Sequence, residues 1–238
     1  NNFKIKNKKI ECNNFWNNNA IFDLNKNKFV SEQGINEINK KMNHNLKIII
    51  YDEKINLFYD IYFENQNDII KFLKEMKILI RITLFIYHKI NIDLSNSTLF
   101  CNFFLTNIKK KINWNSNEII GVKHVNSGLS SKKYVKIACD MDNYILIWRK
   151  EEFLKVYIHE LIHFFNIDFN NIMTNTKILN DKFCLDKNIN LIPNEAITDF
   201  TAIILKTVIY SFYKKIDLKE ILQIEIKFII FQYIKILK

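Results

Sequence analysis

Five residues constrain this chain more than any others: His159-Glu160-Leu161-Ile162-His163, set in the apolar run Phe153, Leu154, Val156, Tyr157, Ile158, Leu161 and Ile162. That run has helical spacing, and the spacing predicts a helix over 151–165 with two acids, Glu151 and Glu152, in its first turn. Residues four apart on a helix share a face, so the imidazoles of His159 and His163 can address one ion. Glu160 is rotated by one residue, which suits it to a metal-activated water rather than to the metal. The plain alternative is a pair of core histidines satisfied by hydrogen bonds. Burying two imidazoles and a carboxylate without an ion would be costly, which favours the metal.

A catalytic zinc has three protein ligands and one open position. A histidine six residues after His163 would supply the third, but that position is Phe169, and Asn166 stands where a glycine would be needed. Asp168 is one residue out of that register. Glu195 is the better candidate. It stands just after Pro193, the only proline in the chain, where a helix is expected to begin. Asp199 follows four residues later on the same face. One of these acids can ligate while the other holds a ligand histidine by its distal N–H. The bland reading of Glu195 is an acid at a helix N-terminus, where acids are common.

The pattern His159-Glu160-x-x-His163 followed by Asn194-Glu195-x-x-x-Asp199 resembles the gluzincin, or thermolysin-like, zinc metallopeptidases. The resemblance implies an α+β fold: a zincin-like core with a small sheet, an active-site helix and a helical C-terminal part. It implies Zn2+ held by His159, His163 and Glu195, Glu160 as general base, and Asp199 behind a ligand histidine. The implied partner is a protein or peptide substrate. The likeness covers about 45 residues. The spacing from His163 to Glu195 is longer than in thermolysin, and the GxMEN strand of the aminopeptidases is missing. A looser similarity, through Val125-Asn126-Ser127-Gly128, Arg149-Lys150-Glu151-Glu152 and Asp168-Phe169, is to uncharacterised metallopeptidase-like proteins of large DNA viruses. It implies an intracellular or virion setting. Two other readings of the same motif are a zinc-binding structural or virion protein without catalysis, and a DNA-associated protease of the SprT type.

The formal charge of +10 bears on that last reading. Most of the lysines are scattered, and the abundance of Lys, Asn, Ile and Phe is what A/T-rich codons produce. A solvated basic surface therefore explains the charge better than a nucleic-acid stripe. No uninterrupted apolar run reaches the ~18 residues of a membrane span. Cys12, Cys101, Cys139 and Cys184 form no CxxC pair and read as free intracellular thiols.

The remaining chain divides into a polar arm or upstream remnant (1–30), an N-terminal α+β part (31–120) and the zincin-like part with C-terminal helices (121–238). It opens without Met and closes within a helix, which suggests a piece of a longer protein. Ile35, Ile38 and Met42 predict a short helix, and 46–51 with 55–63 a hairpin. A long helix is expected over 67–90 and a strand over 97–106. Short strands over 135–139 and 144–148 should precede the motif helix, and the second is expected to line the cleft and pair with extended peptide. Asn126-Ser127-Gly128 reads as a turn, with a substrate-facing loop as the alternative. Helices are expected from Pro193 to about 213 and over about 218–237. His124, Tyr134, Tyr210 and Tyr213 are candidates to stabilise an oxyanion, each more simply explained as packing or surface.

Overall fold

The computed structural model describes residues 2–9, 30, 32–53, 55–89, 97–110, 126–131, 143–167, 176–184, 186 and 193–236. The chain forms two compact units, Asn1–Phe165 and Asn166–Lys238. The class is mixed α+β, as expected. The boundary anticipated near residue 120 and the strand anticipated over 135–139 lie outside the described residues.

The first unit is built on a six-stranded sheet in the order β1-β2-β3-β4-β6-β5. Its strands are β1 (Asn2–Lys9), β2 (His44–Tyr51), β3 (Ile55–Phe63), β4 (Ser97–Phe104), β5 (Gly128–Ser131) and β6 (Tyr144–Ile147). β2 and β3 form the expected hairpin, closed by Asp52 N–H donating to the Ile55 carbonyl at 3.2 Å. Helix α1 (Glu32–Lys41) precedes the hairpin, and α2 (Gln66–Lys89) carries the chain from β3 to its parallel neighbour β4. A parallel pair needs such a crossover.

Two expectations are corrected here. The N-terminal segment is not wholly a loose arm, because β1 pairs antiparallel with β2 along its length. Gly128 is not in a plain turn, because it opens β5, which pairs antiparallel with β6.

Alternation along the strands sorts apolar residues to two faces. Leu57, Tyr59, Ile61, Leu99, Cys101, Phe103, Ile145 and Ile147 face the larger core, with Phe72, Met76 and Leu79 of α2. Tyr62, Phe104, Tyr144, Leu146 and Trp148 face a smaller core with Ile35, Ile38 and Met42 of the α1 region. Helix α3 (Phe153–Phe164) joins the larger core through Phe153, Tyr157, Leu161 and Phe164. Glu151 and Glu152 lie just outside it rather than in its first turn. Glu152 is the N-cap, left-handed at φ 58°, and its carboxylate accepts from Lys110 Nζ at 3.0 Å.

The second unit contains α4 (Thr176–Lys182), α5 (Asn194–Lys214) and α6 (Leu218–Ile236). Pro193 caps α5 as its sequence position suggested. Lys215 closes α5 with φ 57°, and Ser211 Oγ donates to the Ile216 carbonyl at 2.7 Å, so a short turn leads into α6. By length and composition alone α5 is long and apolar enough to cross a membrane, although its longest unbroken apolar run is only Ala202-Ile203-Ile204-Leu205. Core helices of soluble proteins pass the same test. Of the two described cysteines, Cys101 is buried and Cys184 exposed, and both are free.

Candidate metal centre

The roll of α3 about its axis decides what each motif residue does. Its core stripe is Phe153, Tyr157, Leu161 and Phe164, all buried. At 100° per residue, His159 and His163 lie about 200° and 240° from Tyr157, and Glu160 about 300°, on one flank of the stripe. Both histidines are accordingly half-buried, while Glu160 is buried.

The two ring nitrogens meet. His163 Nε2 and His159 Nε2 are 3.0 Å apart, with ring centroids 4.7 Å apart and planes at 70°. Two nitrogens bound to one tetrahedral zinc at 2.0–2.1 Å would lie about 3.3 Å apart, so the pair stands within a few tenths of an ångström of chelating geometry. Two imidazole nitrogens suit zinc and other borderline ions better than calcium or magnesium.

Glu160 is fixed from the side by the sheet. A Cβ at Gly128 would lie 2.7 Å from Val156 Cγ1, 3.1 Å from Glu160 Oε1 and 3.2 Å from Glu160 Cγ. Only a glycine lets the β5 backbone approach the helix so closely. The general-base candidate is therefore packed against the last strand of the sheet. Among the described residues β5 has a partner on one side only, β6. β6 itself is paired on both sides, with β4 and β5, so its backbone cannot take up a peptide as expected. On the α3 side of the sheet the edge strand, among the described residues, is β5 rather than β6. Asn126-Ser127-Gly128 has the composition of a turn, and only Leu129-Ser130-Ser131 follows to complete the strand, so its sequence signal is weak.

The downstream acids belong to the second unit. Glu195 is exposed in the first turn of α5, and Asp199 is half-buried one turn later. Asp168, His124 and Tyr134 lie outside the described residues. Tyr210 and Tyr213 are exposed on α5, each with Lys214 Nζ within 6 Å of its ring centre (5.8 and 5.9 Å).

Three further groups complete the chemistry near α3. Arg149, just before the helix, is buried, and burial lowers its guanidinium pKa against the opposing pull of Glu151 and Glu152. On the core side, burial pushes the Tyr59 phenol and the Cys101 thiol well up, so both stay protonated.

The chain matches no family model, no curated protein and no solved structure. The functional reading therefore rests on the residues and their geometry.

Proposed function

We propose that this chain is a zinc-dependent metallopeptidase of zincin-like type, acting on peptide bonds. The observation that carries the proposal is the meeting of the His159 and His163 Nε2 atoms on one flank of α3, with Glu160 beside them against an open-edged strand. Two histidines and one carboxylate are a donor set that suits a catalytic zinc, and Glu195, in the first turn of α5, is the carboxylate the sequence pattern offers. In this reading Glu195 is the third ligand, and Asp199 orients His159.

A zinc held there by His159, His163 and Glu195 would supply an acidified water and polarisation of the scissile carbonyl. The chain's own residues do the rest. Glu160 accepts the water's proton and passes it to the leaving amine. Burial of Glu160 against β5 limits its rotamers and so holds its carboxylate in place. The open edge of β5 offers backbone N–H and C=O groups to an extended peptide, which would lie alongside Glu160.

Metal analysis with a peptide-cleavage assay on the full chain tests the proposal. About one zinc per chain should persist through gel filtration. His159→Ala with His163→Ala should abolish it, and Glu195→Ala should empty or badly weaken the site. Asp199→Ala should keep the metal but lower affinity or activity roughly 10–100-fold. Glu160→Gln should retain zinc and lose at least ~10²-fold in rate, the scale of general-base catalysis. Full zinc in the double histidine variant would sink the metal site. Zinc without cleavage by the parent chain would leave a metal-binding protein that is not a peptidase.

A further inference from the structure

Tyr157 is the only core-facing residue of α3 whose polar atom enters a buried network, and nothing in the proposed chemistry uses it. Its hydroxyl lies 2.7 Å from Thr83 Oγ1 of α2, 3.1 Å from the Tyr59 hydroxyl of β3 and 3.9 Å from Cys101 Sγ of β4. All four side chains are buried.

The proton positions follow from counting. Thr83 Oγ1 donates its one hydrogen to the Leu79 carbonyl at 2.8 Å, one turn back on α2. The 2.7 Å contact with Tyr157 must therefore use the Tyr157 proton, with Thr83 accepting. That leaves Tyr157 oxygen only as an acceptor toward Tyr59, so Tyr59 donates to it. The chain of donation runs from Tyr59 to Tyr157 to Thr83 to the Leu79 carbonyl. Every hydroxyl proton is placed, and the order has one direction.

A directed network differs from the packing around it. Contacts of Phe153, Leu161 and Phe164 are apolar, and apolar burial carries no directional preference. Close packing, including that of Gly128 against Val156 and Glu160, limits a roll sterically but supplies no directional anchor. A group on the helix rim, ~5–6 Å from the axis, moves about 1 Å for a 10° roll. Metal sites tolerate ligand displacements of only about 0.2 Å. Tyr157 sits two residues before His159 and three before Glu160, so whatever fixes its hydroxyl fixes their angular setting.

We propose that Tyr157 is a positioning residue, whose hydroxyl, locked between Tyr59 and Thr83, sets the roll of α3 and thereby the chelating geometry of His159 and His163. This rests on the metal reading above and adds a role for three residues remote from the metal.

The test is cobalt(II) substitution of the full chain, reading the visible ligand-field spectrum and the zinc affinity by competition with a chromophoric chelator. Tyr157→Phe keeps the ring and removes the hydroxyl. Thr83→Val removes the acceptor at nearly constant shape, and Thr83→Ser restores it. Tyr157→Phe and Thr83→Val should each shift the cobalt band and weaken zinc binding about tenfold, the low end for a residue outside the ligand set. Thr83→Ser should return both to the parent values. Should Tyr157→Phe fail to fold, the Thr83 pair carries the same comparison. A lowered melting temperature with unchanged spectrum and affinity would make the network simple packing and overturn the inference. A parent chain that binds neither cobalt nor zinc would instead remove the metal reading, and this inference with it.

Discussion

The two units spend the same kind of residue in opposite ways. In Asn1–Phe165 the large side chains go inside: Phe103, Tyr157 and Leu161 are fully buried, and Phe103 meets Phe72, Phe153 and Tyr157 edge to face in one aromatic cluster. Among the described residues of Asn166–Lys238 most large apolar side chains stay out, with Ile221 buried. Phe200, Phe212, Ile224, Phe228, Ile230 and Phe231 are exposed, Phe212 at 89%, while the buried positions of α5 are Thr198, Ala202 and Thr207. A sheet with helices on its faces gives apolar residues two interior surfaces. A pair of helices that are apolar nearly all round has only one shared seam, which leaves most of their apolar side chains outside it. Apolar content therefore says little about which part of a chain has a core; its periodicity says more.

Truncation at the centre of each population should break the comparison most sharply. Phe103→Ala empties space among Tyr59, Phe72, Phe153 and Tyr157 and should cost ~3–5 kcal/mol in denaturant unfolding. Phe212→Ala, on the exposed side of α5, should stay within ~0.5 kcal/mol. Similar losses at both positions would mean that Phe212 is covered in solution and that the contrast between the units is false.

A middle-sized effect is expected where the sheet meets α3. Gly128→Ala would drive a methyl into Val156 Cγ1 and the Glu160 side chain. Overpacking of this kind costs ~1–3 kcal/mol. The clash is local, so adding Val156→Ala should recover much of the loss, and a double-mutant cycle would show coupling of the two sites. Independent, additive effects would mean that β5 does not press on α3.

How much of this was legible depends on the kind of signal. The helix carrying His159, Glu160 and His163 was readable because its apolar residues repeat at helical spacing, as were α1, α2, α5, α6 and the β2–β3 hairpin. The exclusion of Glu151 and Glu152 from its first turn was not, because the left-handed conformation of Glu152 is a backbone property that composition does not show. β1 was missed because its Asn and Lys residues suggest solvent rather than a strand. β5 was missed because four residues opening on glycine carry almost no β signature. That second omission misplaced the open edge of the sheet, since pairing partners are non-local and cannot be read from β6 alone. The candidate site divides along the same line. The meeting of His159 with His163 follows from i, i+4 spacing, whereas the pressure of Gly128 on Glu160 and the Tyr59–Tyr157–Thr83 network join residues distant in sequence, which periodicity cannot pair.

The smallest expected effect tests how the second unit is held together. With so few buried large residues, an ion pair is the alternative tie between its helices, and Lys206 Nζ of α5 meets Glu225 Oε1 of α6 at 2.5 Å. Both side chains remain partly solvated, at 25% and 19% exposure, so water and salt screen the attraction. Ordering two long side chains also opposes it. Pairs of this kind contribute ~0.2–1 kcal/mol. Lys206→Met should therefore destabilise by less than about 1 kcal/mol, and the difference from the parent should shrink between low and high salt. Contacts at Ala202 and Ile221, buried on the same two helices, would then carry more of the association than the ion pair. A loss of several kcal/mol that persists in high salt would reverse that order and make the Lys206–Glu225 pair the principal tie between α5 and α6.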